Sequence, residues 1–287
     1  MKEVMAIFFV LSGFLITRFF LAGQGVTDFI VRRIARIVPL AWLYLFIVLL
    51  FQQSSLGIYS SHFLFYANWA PMPLTPMTSH FWSLCVEFQF YIAIAICVAV
   101  FGKRALLLVV IAAFACTSFR IYNDVYSAIN TYFRVDEILA GGILALCLEL
   151  RQRIDISQSV AIFLIVILAL LFLASCHPNG GDLNYLRPYI ASLLVGITLV
   201  SPVSLVNRLL CLPSLSYIAS ISYALYVIHG GLRHTWLGEG DTIEKYLKRP
   251  LFFAVLFLFA HLSTFYYEKY WIDVGKKVGM KLRYNKA

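Results

Sequence analysis

Apolar residues along this chain form long runs that are separated by short polar and basic connections. A helix that crosses a membrane needs about 20 mostly apolar residues. Runs that approach this length cover residues 4–22, 37–51, 81–101, 105–122, 135–148, 159–176, 189–206, 217–237 and 251–267. The second and fifth are shorter, and we expect them to extend into their flanks. The pattern predicts an all-α fold, a polytopic transmembrane helical bundle with about nine spans.

Composition excludes the soluble alternatives. Apolar residues make up 61% of the chain and charged residues 13%, against roughly 45–50% and about 25% in an ordinary soluble domain. So few charges could not cover the surface of a soluble protein. We therefore set aside disorder, a secreted disulfide scaffold and a cytosolic enzyme. The spans leave no room for a separate soluble domain, so residues 1–287 are predicted to form a single membrane-embedded domain.

The net charge of +9 predicts the orientation. The cations gather in alternate connections, including that of Arg32, Arg33 and Arg36, and in the C-terminal tail. The positive-inside rule makes that side cytoplasmic. We expect a protein integral to the inner membrane with a cytoplasmic C-terminus, and we do not expect nucleic acid as a partner. Nine spans then place Met1 outside, which one further span upstream would correct.

Glu87 is an ionisable residue at predicted membrane depth, where charge is costly. Ser83, Glu87 and Tyr91 recur at every fourth position and therefore share one helix face. Glu87 would lie about 9 Å below the outer boundary at 1.5 Å per residue. Such a carboxyl suits a general acid or base. The alternative is a structural hydrogen bond to a neighbouring helix.

A second polar face carries Ser222, Tyr226, His229 and Arg233 at steps of four, three and four. His229 would lie about 12 Å below the outer surface, in the same half of the bilayer as Glu87. This common depth favours a reactive site. The alternative is that His229 makes a satisfied contact between helices.

The Arg32-Arg33-Ile-Ala-Arg36 segment has two interpretations. It is either a cytoplasmic anchor or a phosphate clamp, since the guanidinium fork matches phosphate oxygens. A further segment, Arg134-Val-Asp-Glu137 followed by Gly141-Gly142, is interpreted as structural, with charges that pair and glycines that allow close helix approach. The cysteines and the scattered remaining histidines show no metal-ligand spacing, so no metal is expected.

Four ordered motifs resemble those of the acyltransferase-3 family of integral membrane acyltransferases, which includes O-antigen and exopolysaccharide O-acetylases. Residues 8–17 are similar to its Phe-Phe-x-Leu-Ser-Gly-Phe-Leu-Ile signature, and residues 33–39 to its Arg-x-x-Arg segment followed by Ile and Pro. Residues 80–91 are similar to its Trp-Ser-Leu-x-x-Glu-x-Gln-Phe-Tyr stretch, and residues 221–229 to its Ser-Tyr-x-x-Tyr-x-x-His helix.

The resemblance implies a bacterial enzyme that transfers an acyl group, often acetyl, from cytoplasmic acyl-CoA to a hydroxyl of a cell-envelope or exported glycan. The group transferred is not an amino-acyl group. The expected partners are acyl-CoA, a glycan or lipid-linked glycan acceptor and membrane lipids, with no bound cofactor. Arg33 and Arg36 would bind the donor, and Glu87, His229 and His80 are the catalytic candidates. The candidate substrate-binding residues are Ser12, Trp82, Ser83, Tyr91, Ser222, Tyr223 and Tyr226.

One departure from the family pattern keeps alternatives open. The family normally has ten spans, and its first span carries an Arg or Lys and, about ten residues later, a His that is taken as the catalytic base. We find no counterpart of that span in residues 1–287. Either a further span upstream supplies the catalytic His, with Glu87 orienting or charge-balancing it, or His80 or His229 replaces that His as the base. The alternatives are a catalytically inactive truncated paralogue that binds lipid or a partner, and, from another class, a transporter.

Overall fold

The structure is a computed structural model that describes residue 3 and residues 5–71, 73–150, 156–201 and 203–284, without the side chains of residues 204, 205, 283 and 284. These residues form α-helices, two 3₁₀ segments and one π-helical segment, and the described part of the chain has no strand. The prediction of an all-α fold is confirmed.

The helices follow one another with short connections. They are α1 (Met5–Leu21), α2 (Val26–Phe51), α3 (Leu56–Phe63), α4 (Trp82–Phe101), α5 (Leu108–Tyr122), α6 (Thr131–Arg134), α7 (Asp136–Leu150), α8 (Gln158–Ser175), α9 (Leu183–Val200), α10 (Ser204–Leu210), α11 (Pro213–Arg233), α12 (Thr242–Leu262) and α13 (Lys269–Tyr284). The 3₁₀ segments are Pro76–Phe81 and Gly102–Leu107, and the π-helical segment is Ser263–Glu268.

Each predicted apolar run overlaps one of the longer helices, although the run 189–206 continues past α9 into α10 and the run 251–267 continues past α12 into the π-helical segment. Among the described residues, six continuous helical stretches are long and apolar enough to cross a membrane: Val26–Phe51, Pro76–Tyr122, Gln158–Ser175, Leu183–Val200, Pro213–Arg233 and Thr242–Leu282. Helix α1 is apolar but has 17 residues. The membrane-spanning helical fold is therefore confirmed, and the number of nine spans stays a prediction.

Two helices extend well beyond their predicted runs. Helix α2 begins at Val26 and not at residue 37. The apolar run ends at the arginines, but arginine is a good helix former, so the helix continues through them. The Asp28–Arg32 pair, 2.9 Å apart, supports its first turns. At the other end of the chain, the basic tail that begins at Lys269 continues as helix to Tyr284.

Helix packing divides the chain into two compact units. The first comprises Met1–Val26 and Val86–Cys211, and the second comprises Thr27–Cys85 and Leu212–Ala287. Each unit is therefore built from two separate stretches of chain. The single domain expected from the sequence stays a prediction.

The core of the first unit is the contact of α1 with α7. A Cβ atom added to Gly13 would stand 1.8 Å from the carbonyl oxygen of Ile138, and one added to Gly141 would stand 1.9 Å from that of Val10. Only glycine permits this approach of the two backbones. The prediction that the glycines of the Arg134–Gly142 segment serve close packing is confirmed.

In the second unit, the N-terminal half of α2 packs against α13. A Cβ atom on Gly275 would stand 2.5 Å from the Cβ of Ala35, and one on Gly279 would stand 3.0 Å from Asp28 Oδ1. Farther along α2, Trp42 Nε1 donates a hydrogen bond of 3.1 Å to the carbonyl oxygen of Phe63 in α3. The second unit thus holds the predicted donor-binding arginines and the 3₁₀ segment that carries His80.

Candidate functional site

Glu87 lies in the first unit as the acceptor of a buried hydrogen-bonded cluster. Ser12 Oγ of α1 donates to Glu87 Oε1 over 2.5 Å, and the Tyr91 hydroxyl donates to the same oxygen. Ser12 and Tyr91 are themselves 3.3 Å apart, and all three side chains are buried. The structure therefore brings together three predicted site residues, and it contains the hydrogen bond between helices that the sequence left as an alternative.

His80 and His229 meet in the second unit, although 149 positions separate them in the chain. Their ring centroids are 4.6 Å apart. The Tyr226 ring lies 5.3 Å from that of His80 and 5.9 Å from that of His229. All three side chains are half-buried. We call these three residues the histidine cluster.

Backbone carbonyls determine which ring nitrogens carry protons in this cluster. His229 Nδ1 lies 2.6 Å from the carbonyl oxygen of Tyr226, and His80 Nε2 lies 3.2 Å from that of Val227. A carbonyl oxygen only accepts, so each of these nitrogens donates its N–H. In the neutral rings, His229 Nε2 and His80 Nδ1 are then the nitrogens with a lone pair, which is the form that a general base requires.

The histidine cluster is held by hydroxyl groups and by one glycine. The Tyr226 hydroxyl donates to the carbonyl oxygen of His80, and Ser83 Oγ lies 2.7 Å from the Tyr226 hydroxyl. A Cβ atom on Gly230 would stand 2.0 Å from His80 Cε1, so the His80 ring occupies the space of a missing side chain.

Tyr44 of α2 is a further neighbour of the histidine cluster. Its hydroxyl donates to the carbonyl oxygen of Met77 over 2.8 Å, and its ring lies edge-on to His80 at 5.9 Å. Sequence reasoning missed both Tyr44 and Gly230. The Gly230-Gly231 pair directly after His229 was the available signal, because glycine inside an apolar helix needs a packing reason.

Arg33 and Arg36 lie in the first turns of α2. The Arg33 guanidinium stands 5.6 Å from the centroid of the Phe29 ring, and Arg36 is exposed. Their neighbour Arg32 is already paired with Asp28. The two predicted donor-binding residues are therefore on one helix in the second unit, in positions from which a guanidinium can reach an anion.

The other predicted substrate-binding residues occupy different surroundings. Ser222 is exposed, and its Oγ donates to the carbonyl oxygen of Ala219 in its own helix over 2.8 Å. The Tyr223 hydroxyl donates to the carbonyl oxygen of Ile37 over 2.6 Å and so joins α11 to α2. Trp82 is buried at the start of α4. Ser222 thus bonds within its own helix, and Tyr223 bonds to a neighbouring helix.

The first unit also contains a buried ion-pair network that sequence reasoning saw only in part. Glu137 accepts from Arg187 Nε over 3.0 Å and lies 3.3 Å from Arg134 Nε. Arg120 pairs with Asp136, and all five side chains are at most 1% exposed. Pairing within the Arg134–Glu137 segment is confirmed. Arg120 and Arg187 were missed because they stand near the ends of other apolar runs.

His62, in the last turn of α3, has both ring nitrogens hydrogen-bonded. Its Nδ1 donates to the carbonyl oxygen of Ile58, and its Nε2 accepts from Thr78 Oγ1, each over 2.8 Å. Burial lowers the pKa of His62, and the hydrogen bond to Ile58 offsets this lowering in part. His62 therefore has a structural role.

Across the described ranges, no group of three or more His, Cys, Asp or Glu residues could hold a metal ion.

Comparisons with known proteins agree with the motifs. The chain is 28% identical over 277 residues to the "Putative peptidoglycan O-acetyltransferase YrhL" of Bacillus subtilis, an alignment that covers 78% of this chain and 43% of that protein. It is 27% identical over 237 residues to an "Uncharacterized protein" of Haemophilus influenzae, with 69% and 93% covered. The chain thus spans less than half the length of the Bacillus relative. No solved structure matches the chain.

The family comparison covers nearly the whole sequence. The acyltransferase-3 family model, described as an acyltransferase domain, matches residues 3–272. That range includes all four motifs, the Glu87 cluster and the histidine cluster. By this match, the chain belongs to the acyltransferase-3 family.

Proposed function

We propose that this membrane acyltransferase moves an acetyl group from acyl-CoA to a hydroxyl of a cell-envelope glycan. The family supports acyl transfer, and the name of the Bacillus relative supports O-acetylation of a glycan. The observation that carries the proposal is the hydrogen bond from His229 Nδ1 to the carbonyl oxygen of Tyr226. It leaves Nε2 of the neutral ring as a proton acceptor.

The proposed reaction uses His229 as the general base. Its Nε2 takes the proton of the acceptor hydroxyl while the hydroxyl oxygen attacks the thioester carbonyl carbon. The C–O bond forms, the C–S bond breaks, and the departing thiolate takes the proton back from His229. The Tyr226 carbonyl keeps the ring oriented through its bond to Nδ1, and this bond strengthens when the ring is charged. Such proton transfer contributes about 10²–10⁴-fold to a rate.

The donor part of the proposal rests on Arg33 and Arg36. Their guanidinium groups would bind phosphate oxygens of acyl-CoA, and with the C-terminus in the cytoplasm they would meet the donor on its own side of the inner membrane. For Glu87 we propose a positioning role, in which its Oε1 fixes the hydroxyl groups of Ser12 and Tyr91.

The test is acetyl transfer by the full chain in lipid nanodiscs, with labelled acetyl-CoA and soluble peptidoglycan fragments as acceptor. We expect His229→Gln to lower kcat by about 10²–10⁴-fold with unchanged binding of CoA. His261→Gln is the matched control, since His261 lies in the same unit with its Nδ1 3.0 Å from the Tyr217 hydroxyl. Wild-type transfer by His229→Gln would contradict the assignment of the base.

Two companion measurements, CoA binding in nanodiscs and transport in sealed vesicles, separate the alternatives for the whole chain. CoA binding without transfer by the unaltered chain would favour an inactive binding protein. Movement of the acceptor across a vesicle membrane without acetylation would favour a transporter. Both results would overturn the proposed activity while leaving the family membership in place.

A further inference from the structure

An apolar groove lies between α2 and α13, beside the line along which glycines bring the two helices together. Its volume is about 630 Å³, and Val31 and Val278 lie at one end and Phe46 at the other. From Val31 to Phe46 the groove follows α2 for about 22 Å at 1.5 Å per residue. It is therefore long enough for a hydrocarbon chain that fills one leaflet, about half of a 30 Å membrane core.

The groove opens on an apolar outer face. Trp42 and Phe46 on α2 and Val278 on α13 all line the groove and are 43–54% exposed. Its lining residues are apolar or aromatic, and the hydroxyl of Tyr267 donates to the carbonyl oxygen of Pro39 over 3.3 Å. The lining and the open side of the groove therefore suit a hydrocarbon chain that enters from the side.

Basic side chains stand at the Val31–Val278 end. Lys277 and Lys281 follow the groove residues Val274 and Val278 by three positions, so they lie on the same flank of α13. Both lysines are exposed. The carboxylate of Asp28, which lies near Gly279 at this end of α13, forms an ion pair with Arg32 of its own helix.

The carboxylate of Asp273 in α13 interacts mainly with Lys276, and Asp273 also lies one turn before Lys277. Asp273 Oδ1 lies 3.0 Å from Lys276 Nζ, and Lys276, two positions beyond Val274, stands on the opposite side of the helix. The end of the groove is thus positively charged beside Lys277 and Lys281, whereas its length is apolar.

We propose that this groove binds an anionic phospholipid, with its phosphate at Lys277 and Lys281 and one acyl chain along α2. Charge at one end and hydrocarbon along the length match an anionic amphiphile and exclude a free nucleotide or a glycan. Such a lipid contacts α2 and α13 together and therefore holds the C-terminal helix against the arginine-bearing turns of α2. The proposal is independent of acyl transfer, since it needs only the membrane location.

The experiment measures lipid retention by the full chain. The protein is purified in mild detergent, titrated with phosphatidylglycerol or phosphatidylcholine, and analysed by native mass spectrometry. We expect phosphatidylglycerol to bind more tightly, and the double variant Lys277→Gln/Lys281→Gln to weaken its binding by about 30-fold, from about 1 kcal/mol for each lysine near an anionic lipid. The charge-matched control is Lys269→Gln/Lys276→Gln, on the opposite side of α13.

A second pair of variants tests the hydrocarbon part. Val278→Trp fills the groove and should lower retention of phosphatidylglycerol at least several-fold, whereas Met280→Trp adds the same ring to the opposite, 64% exposed side of α13. Size-exclusion profiles and melting temperatures verify that each variant folds. Equal losses in the two lysine doubles, equal binding of phosphatidylcholine, or unchanged retention in Val278→Trp would each overturn the proposal.

Discussion

The two compact units accommodate polar side chains within apolar helices in different ways. In the first unit, Arg134 and Arg187 share the carboxylate of Glu137, and Arg120 pairs with Asp136. In the second unit, the polar groups of the histidine cluster can all be uncharged, and each bonds to a backbone carbonyl. In the first unit, charged side chains are neutralised by side chains of opposite charge. In the second unit, neutral side chains are hydrogen-bonded to backbone carbonyl oxygens.

This difference separates support from reactivity. The guanidinium groups of Arg120 and Arg187 are engaged by carboxylates and also by backbone carbonyl oxygens, and removal of the carboxylate leaves a buried charge. An imidazole that donates one N–H to a carbonyl keeps its second nitrogen for proton transfer. The ion-pair network therefore suits a structural role, and the histidine cluster suits chemistry.

The largest expected effect comes from breaking the ion-pair network. Glu137→Gln keeps the shape of the side chain and removes the charge that Arg134 and Arg187 share. Because both guanidinium groups are fully buried, we expect a loss of about 3–5 kcal/mol in the free energy of unfolding. Chemical denaturation of the full chain in detergent measures it.

The control for this prediction is Asp273→Asn, which breaks the exposed pair with Lys276. Exposed ion pairs contribute little, so this variant should unfold like the unaltered protein. If Glu137→Gln were as stable as Asp273→Asn, the distinction between a supporting network in the first unit and a reactive cluster in the second would fail.

A smaller effect is expected from the packing that surrounds the network. Gly141→Ala adds a methyl group 1.9 Å from the carbonyl oxygen of Val10, which forces α1 and α7 apart at an estimated cost of about 1–3 kcal/mol. Gly57→Ala in α3 is the control, because a Cβ atom there meets nothing within 4 Å. Equal melting temperatures for the two variants would show that the glycine contact does not hold the first unit together.

The sequence predicted those features that depend on local pattern. Long apolar runs predicted the apolar helices but not the basic helix α13. The four-residue spacing of Glu87 and Tyr91 predicted the shared helix face on which their side chains meet. The second run was expected to extend into its flanks, and α2 does begin earlier, at Val26, because helix propensity continues through the arginines at which hydropathy stops.

Features that depend on tertiary contact could not be predicted. The contact of Arg187 with Glu137 and that of His80 with His229 depend on how the helices pack. The spacing of residues along one helix does not indicate which helix lies beside it. Tyr44 lies in an apolar run, and its contact with His80 gives no signal in the sequence.

The smallest expected effect sharpens the comparison within the second unit itself, between His62 and His229. Both nitrogens of His62 are hydrogen-bonded to protein groups, and burial lowers the pKa of His62 below its ordinary value. Below about pH 6.5 the unfolded chain binds this proton more readily than the folded protein does. Stability therefore falls as the pH drops through and below that value, and this part of the loss should be absent in His62→Gln, whose amide can still bond to Ile58 and Thr78. Melting temperatures of both proteins between pH 7.5 and pH 5 measure the difference, and parallel curves would show that His62 does not contribute.

His62→Gln should retain acetyl transfer at pH 7.5, where His229→Gln should not, because His62 has no nitrogen left for a substrate proton.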